Sequence, residues 1–177
     1  MPGRIPPPAW LAFPALVAAI AAAGSAAAIP PTCPEGATDR AALVCEINAA
    51  RADAGRWPLK SRPALVEAAR AHSADMVGRG YFAHENPEGE GPADRARRAG
   101  YMRRAGSWSI GEVLLWSRGE RLTAARAVEL WLDSPSHRHV LLSPRYRDLG
   151  AAPVPGAPVG DPDVEPATTV TVVFGKR

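Results

Sequence analysis

The chain has 177 residues, of which 46% are apolar, and a formal charge of +3 at neutral pH. That length suits one ordinary domain with its own core, and two cysteines are too few for a disulfide scaffold. A charge this small makes no argument for nucleic acid as a partner.

The first 28 residues read as a secretory signal peptide. Arg4 and the free amine form a basic start, Trp10 to Ala23 is an apolar stretch bent by Pro14, and Ala26-Ala27-Ala28 is a cleavage site. The apolar stretch is shorter than the roughly 20 residues a spanning helix needs. The competing reading is an uncleaved anchor. A lipoprotein is disfavoured, because Ile-Pro-Pro-Thr rather than a run of small residues precedes Cys33. Cleavage would leave 149 residues, secreted or periplasmic, without stable membrane insertion. Residues 29–37 form a Pro-rich leader, and 38–177 form the domain.

Cys33 and Cys45 are an isolated pair, close in sequence. In an oxidising compartment such a pair forms a disulfide that pins the leader to the first helix. Two free thiols are the alternative.

Thr38 or Asp39 caps a helix running to about Ala54, with Leu43, Val44, Ile47 and Ala50 on one face. Ser61 caps a second helix to about Val77, with Pro63 in its first turn and Leu65, Ala68, Ala69, His72 and Met76 on its apolar side. Asn86 to Gly91 is a turn-rich loop, and Pro92 to Ala99 a short helix. A strand follows from Ser109 to Trp116. The helix from Leu122 to Asp133 turns Ala125, Val128, Trp131 and Leu132 inward, Pro135 breaks it, and Ser136 to Leu142 adds a short turn. Strands run from Leu149 to Val154 and from Thr168 to Phe174. The Pro/Gly/Asp loop between them, Pro155 to Ala167, is expected to be mobile. Helices first and strands last argue an α+β fold, with helices packed on a small, mainly antiparallel sheet.

Three residues carry metal-capable chemistry beside turns: His84, Glu112 and His137. Imidazole and carboxylate are the ligand set of a borderline metal such as zinc. Sequence spacing does not show whether the three converge. His72 reads as a structural histidine, and His139 as peripheral or exposed. The run Arg95, Arg97, Arg98, Arg103 and Arg104 reads as a solvated face, with anionic envelope polymers as the other reading. Gly106-Ser-Trp-Ser109-Ile-Gly111 misses the spacing of a serine nucleophile elbow by one residue. Ser134 or Ser136 beside His137 is the remaining Ser/His pair.

The segments Tyr-Phe-Ala-His84, Gly111-Glu112, Trp131 to Pro144 with Ser134-Pro135-Ser136-His137-Arg138, and Asp148-Leu-Gly150, closed by Val172-Val173-Phe174-Gly175, resemble in order and spacing the CAP superfamily (the SCP domain), most nearly its bacterial single-domain branch. The resemblance covers about Val44 to Gly175. It implies an αβα sandwich, with His84, Glu112 and His137 as cleft residues. It departs from the family at Ser134, where eukaryotic members carry a second glutamate, and at Val113, where the family has asparagine. The polar groups before Phe174 shrink to Thr169, Val170 and Thr171. These changes predict a more apolar cleft.

The family has been linked to lipid or sterol binding, to defence-type secretion and to proteolysis. The resemblance therefore implies a binding module of the envelope or extracellular space, its ligand a lipid or envelope component. A metal-dependent hydrolase is the alternative, with His84 and His137 holding zinc and Glu112 as ligand or general base. A purely structural envelope protein is a third class.

Overall fold

The computed structural model describes residues 32–103, 105–160 and 165–177. The expected signal peptide lies outside the described residues, as does the middle of the loop before the last strand. No helix among the described residues is long and apolar enough to cross a membrane.

The order of elements is α1 (Arg40–Asp53), β1 (Lys60–Ser61), α2 (Pro63–Arg79), α3 (Pro92–Arg98), β2 (Ser109–Arg118), α4 (Ala124–Asp133), α5 (Pro135–Leu141), β3 (Asp148–Pro155) and β4 (Ala167–Lys176). Asp39 is the cap of α1, its Oδ1 accepting the Ala42 N–H at 2.9 Å. Ser61 does not cap α2. It lies in β1, Arg62 holds the N-cap position without a side-chain bond, and Pro63 starts the helix. Gly80, at φ 71°, ends it in the left-handed conformation that suits glycine.

The four strands lie in the order β1-β3-β4-β2, with β1 parallel to β3 and the other pairs antiparallel. Helices cover both faces. On one, Val170, Val172 and Phe174 of β4 and Leu149 and Ala151 of β3 pack with Leu43 and Ile47 of α1, Trp131 of α4 and Leu141 of α5. On the other, Val173 and Ala152 pack with Leu65 and Ala69 of α2, Ala96 of α3 and Tyr101. β4 is apolar to both sides because it runs through the middle of the sandwich. Its Thr171 accepts a bond from Ser73 of α2, at 2.8 Å. The expected αβα sandwich is therefore the observed one.

The inward stripe of α4 is Ala124, Ala127, Val128 and Trp131, while Ala125 is exposed. The expected stripe was therefore wrong at its first residue. Trp131 is 1% exposed and donates its indole N–H to the Leu114 carbonyl at 3.0 Å. Cys33 and Cys45 are bridged, with Cα atoms 5.6 Å apart. The Pro-rich leader is tied down beyond that bridge, where the Ala37 carbonyl accepts the Ala124 N–H at 2.8 Å.

Candidate functional site

β2 is an edge strand, and its alternation decides which side chains reach the site. Val113 enters the core beneath α1 and α4. Glu112, one position earlier, points to the opposite face, where α2 and α3 lie. The expectation that Val113 makes the cleft more apolar therefore fails: period-two alternation turns it away from Glu112. Thr171 is likewise engaged with Ser73, and Thr169 with the Gly156 carbonyl.

The Glu112 side chain is 1% exposed, so its charge must be met by the protein. Arg95 of α3, itself buried, donates from Nη2 to Oε1 at 3.1 Å and to Oε2 at 2.8 Å. His84 brings Nδ1 to 2.9 Å from Oε1. The same Arg95 donates to the His84 carbonyl at 2.9 Å and to the Glu90 carbonyl at 2.8 Å. One guanidinium thus anchors the loop that carries His84 at two points and fixes the carboxylate that orients its ring. Charge-assisted bonds of this kind are among the stronger ones in proteins.

His72 of α2 lies beneath this group. Its Nε2 is 2.9 Å from the Ala83 carbonyl, which only accepts, and 3.9 Å from Glu112 Oε1. Nε2 therefore carries the proton and Nδ1 is bare. Nδ1 is buried without a partner among the described residues. Burial pushes the imidazole below its usual range, with Glu112 pulling the other way. The reading of His72 as a structural histidine matches its burial, and the ring also buttresses Glu112.

The loop is fixed at its start by Tyr81, whose hydroxyl donates to Asp75 and whose ring lies 5.5 Å from the Arg79 guanidinium. Phe82 is 38% exposed, so Tyr81 is the anchor of the expected aromatic pair.

His137 stands on α5, which packs against β2. It is half-buried, and burial followed by the His84 charge lowers its pKa. The helix that carries His137 thus packs on β2, the strand from which Glu112 reaches His84. The hydroxyls of Ser134 and Ser136 bond each other at 3.2 Å, and among the described residues no Ser/His pair forms there. His139 is exposed.

Among the described residues, no three His, Cys, Asp or Glu side chains are placed to hold a metal. The reason is Glu112: both of its oxygens accept from Arg95, and a guanidinium beside them repels a cation. Glu112 does not fit as a metal ligand. It fits as the outer partner that holds a ligating histidine by one nitrogen and leaves the other nitrogen free.

Arg95 is the site residue that the sequence does not announce. It reads there as part of a solvated face with Arg97 and Arg98, yet Arg95 is 5% exposed while its neighbours stay outside. The available signal was its place beside Ala96, on the inner side of a short helix.

A profile of CAP, the cysteine-rich secretory protein family, matches residues 44–174. The uncharacterized protein YkwD of Bacillus subtilis (strain 168) is 30% identical over 103 residues, covering 58% of this chain and 37% of YkwD. The chain therefore spans well under half of that relative. Two solved structures share the fold. An outer surface protein from Borrelia burgdorferi has a TM-score of 0.60 and 21% identity, covering 76% of this chain and 90% of its own. An extracellular SCP-domain protein from Bacillus anthracis str. Ames has a TM-score of 0.60 and 23% identity, covering 78% of this chain and 40% of its own.

Proposed function

The chain belongs to the cysteine-rich secretory protein family, and from that premise we propose that it is an exported binding module whose ligand site is the β2 edge bearing His84 and His137. The observation that carries this reading is the His84–Glu112 contact at 2.9 Å, held by buried Arg95. A carboxylate paired with a guanidinium accepts from His84 Nδ1–H, so the ring offers Nε2 outward as a bare nitrogen. An imidazole set in one tautomer and one orientation is prepared for a partner. That partner is a hydrogen-bond donor or a borderline cation shared with His137.

Export is supported by three features. They are the signal-like residues 1–28, the Cys33–Cys45 bridge, and relatives described as outer-surface or extracellular. The ligand is an envelope or extracellular component.

The hydrolytic alternative needs Glu112 as ligand or general base. Three of its four lone-pair directions are already engaged by Arg95 and His84, and its side chain is 1% exposed, so a water has little access to it. A metal bound here would rest on the two imidazoles, with Glu112 behind His84, and its remaining positions would take the ligand.

Calorimetry with zinc as the probe tests the site, and hydrolysis of unfolded protein tests the alternative. Weak zinc binding is expected, lost in His84→Ala and in His137→Ala and kept in His72→Ala, with no hydrolysis. Unchanged zinc affinity in the His84→Ala/His137→Ala double variant would remove the site. Hydrolysis abolished by Glu112→Gln would favour the enzyme.

A further inference from the structure

The arginines of this protein differ in how their charge is met. On the α2–α3 side they are neutralised: Arg70 by Glu67, Arg79 by Asp75 and Glu88, Arg97 by Asp94, and Arg98 by Glu90. The expected solvated basic run is thus mostly cancelled where it lies. On the other face of the sheet, the ends of α1 and α5 meet the turn into β3. That corner gathers Arg51, Arg56, Arg138 and Arg147. Among the described residues none of these four has a carboxylate partner; Arg138 and Arg147 donate to the backbone carbonyls of Leu132, Pro144 and Tyr146.

Arg51 is 0% exposed. Its Nε donates to the Trp57 carbonyl at 3.0 Å, and its Nη1 to the Leu141 and Ser143 carbonyls at 2.6 and 3.1 Å. These bonds explain an arginine here as a cap on the last turn of α5. They satisfy donors and set the partial negative charge of the helix end against the guanidinium, but supply no full counter-charge. Nη2 is buried without a partner among the described residues. Burial, then Arg147 and Arg56, lower the Arg51 pKa, so the corner is a place of mutual repulsion.

Beside it opens a cavity of about 450 Å³. Arg56, Arg138, His139 and Ser143 line it, and Asp133 is the one carboxylate in its wall among the described residues. Ser143 is the residue whose carbonyl Arg51 holds, so the buried charge lies directly behind the wall. Like charges brought together without a counter-ion cost stability, and an outside anion would offset that cost.

We propose that this corner binds a phosphate group carried by a ligand from outside the protein. Guanidinium forks match phosphate oxygens in pairs, and Arg56 and Arg138 both present theirs at the cavity wall, with the Arg51 charge behind it. The cavity leaves room for part of the carrier. The site is separate from His84 and does not depend on the reading of that edge.

The test uses the full chain at low ionic strength. One arm is calorimetry with glycerol phosphate. The other is co-sedimentation with phosphatidylglycerol vesicles against phosphatidylcholine vesicles. Binding is expected in at least one arm, weakening as salt is raised. Glycerol phosphate binding assigns a soluble phosphate ester, and binding only to phosphatidylglycerol vesicles assigns a lipid headgroup. Arg56→Ala/Arg138→Ala should weaken binding at least ten-fold, and Arg97→Ala/Arg98→Ala should leave it unchanged. Should the first double variant unfold, Arg56→Ala alone carries the test, because Arg56 is exposed. No binding in either arm, or equal loss in both double variants, would overturn the site.

Discussion

A carboxylate as deeply buried as Glu112 is stable only when its partners hold their places, and Arg95 is the partner with the most bonds. Arg95→Met should destabilise the protein by about 3–5 kcal/mol, read from urea unfolding, because it strands a buried charge. Glu112 and His84 were legible as chemistry-bearing residues in the sequence. Arg95 was not, since a run of arginines looks alike until a helix turns one of them inward. His72 adds a pH dependence. Its folded pKa lies below the ordinary 6.5, so the unfolded chain takes up its proton first. Its contribution to stability is fully present above about 6.5 and is lost as pH falls through the lower folded value. Thermal unfolding across that window should show stability declining with acid, and His72→Gln should flatten the decline.

Elements meet in this fold through a few close contacts. Gly150 of β3 faces the start of α2, where an added Cβ would lie 2.1 Å from the Leu65 carbonyl carbon and 2.2 Å from the Val66 nitrogen. Backbone cannot rotate aside, so Gly150→Ala should cost about 1–3 kcal/mol by overpacking, seen as a lower urea midpoint at unchanged slope. Trp131 is the opposite case, a large side chain enclosed between α4 and β2. Trp131→Ala should cost about 3–5 kcal/mol. An unchanged urea midpoint would mean that the register of α4 is wrong. That register was nearly legible: the apolar spacing located Val128 and Trp131 and erred at Ala125, because adjacent alanines carry too little contrast to choose between faces.

Across the whole molecule, the disulfide ties the start of the domain to α1, over a separation of 12 residues. Cys33→Ala/Cys45→Ala should lower stability by about 3 kcal/mol on the loop-closure argument, measured by urea unfolding beside the oxidised parent. The cysteine pair, the order of the elements apart from β1, the α+β class and the family likeness were all present in the sequence, because each rests on local periodicity, turn chemistry or near neighbours. What only the tertiary structure decided is how distant segments combine. β2 takes the edge beside β4, so Glu112 and Val113 face opposite layers. α3 folds back to lay Arg95 against Glu112, and α5, the helix that carries His137, packs on β2. The arginines at the ends of α1 and α5 collect at one corner where, among the described residues, none of them has a carboxylate partner, although nothing in their spacing joins them. These juxtapositions depend on long-range packing, and a side chain's role in them is set by the partner across the gap rather than by its neighbours along the chain.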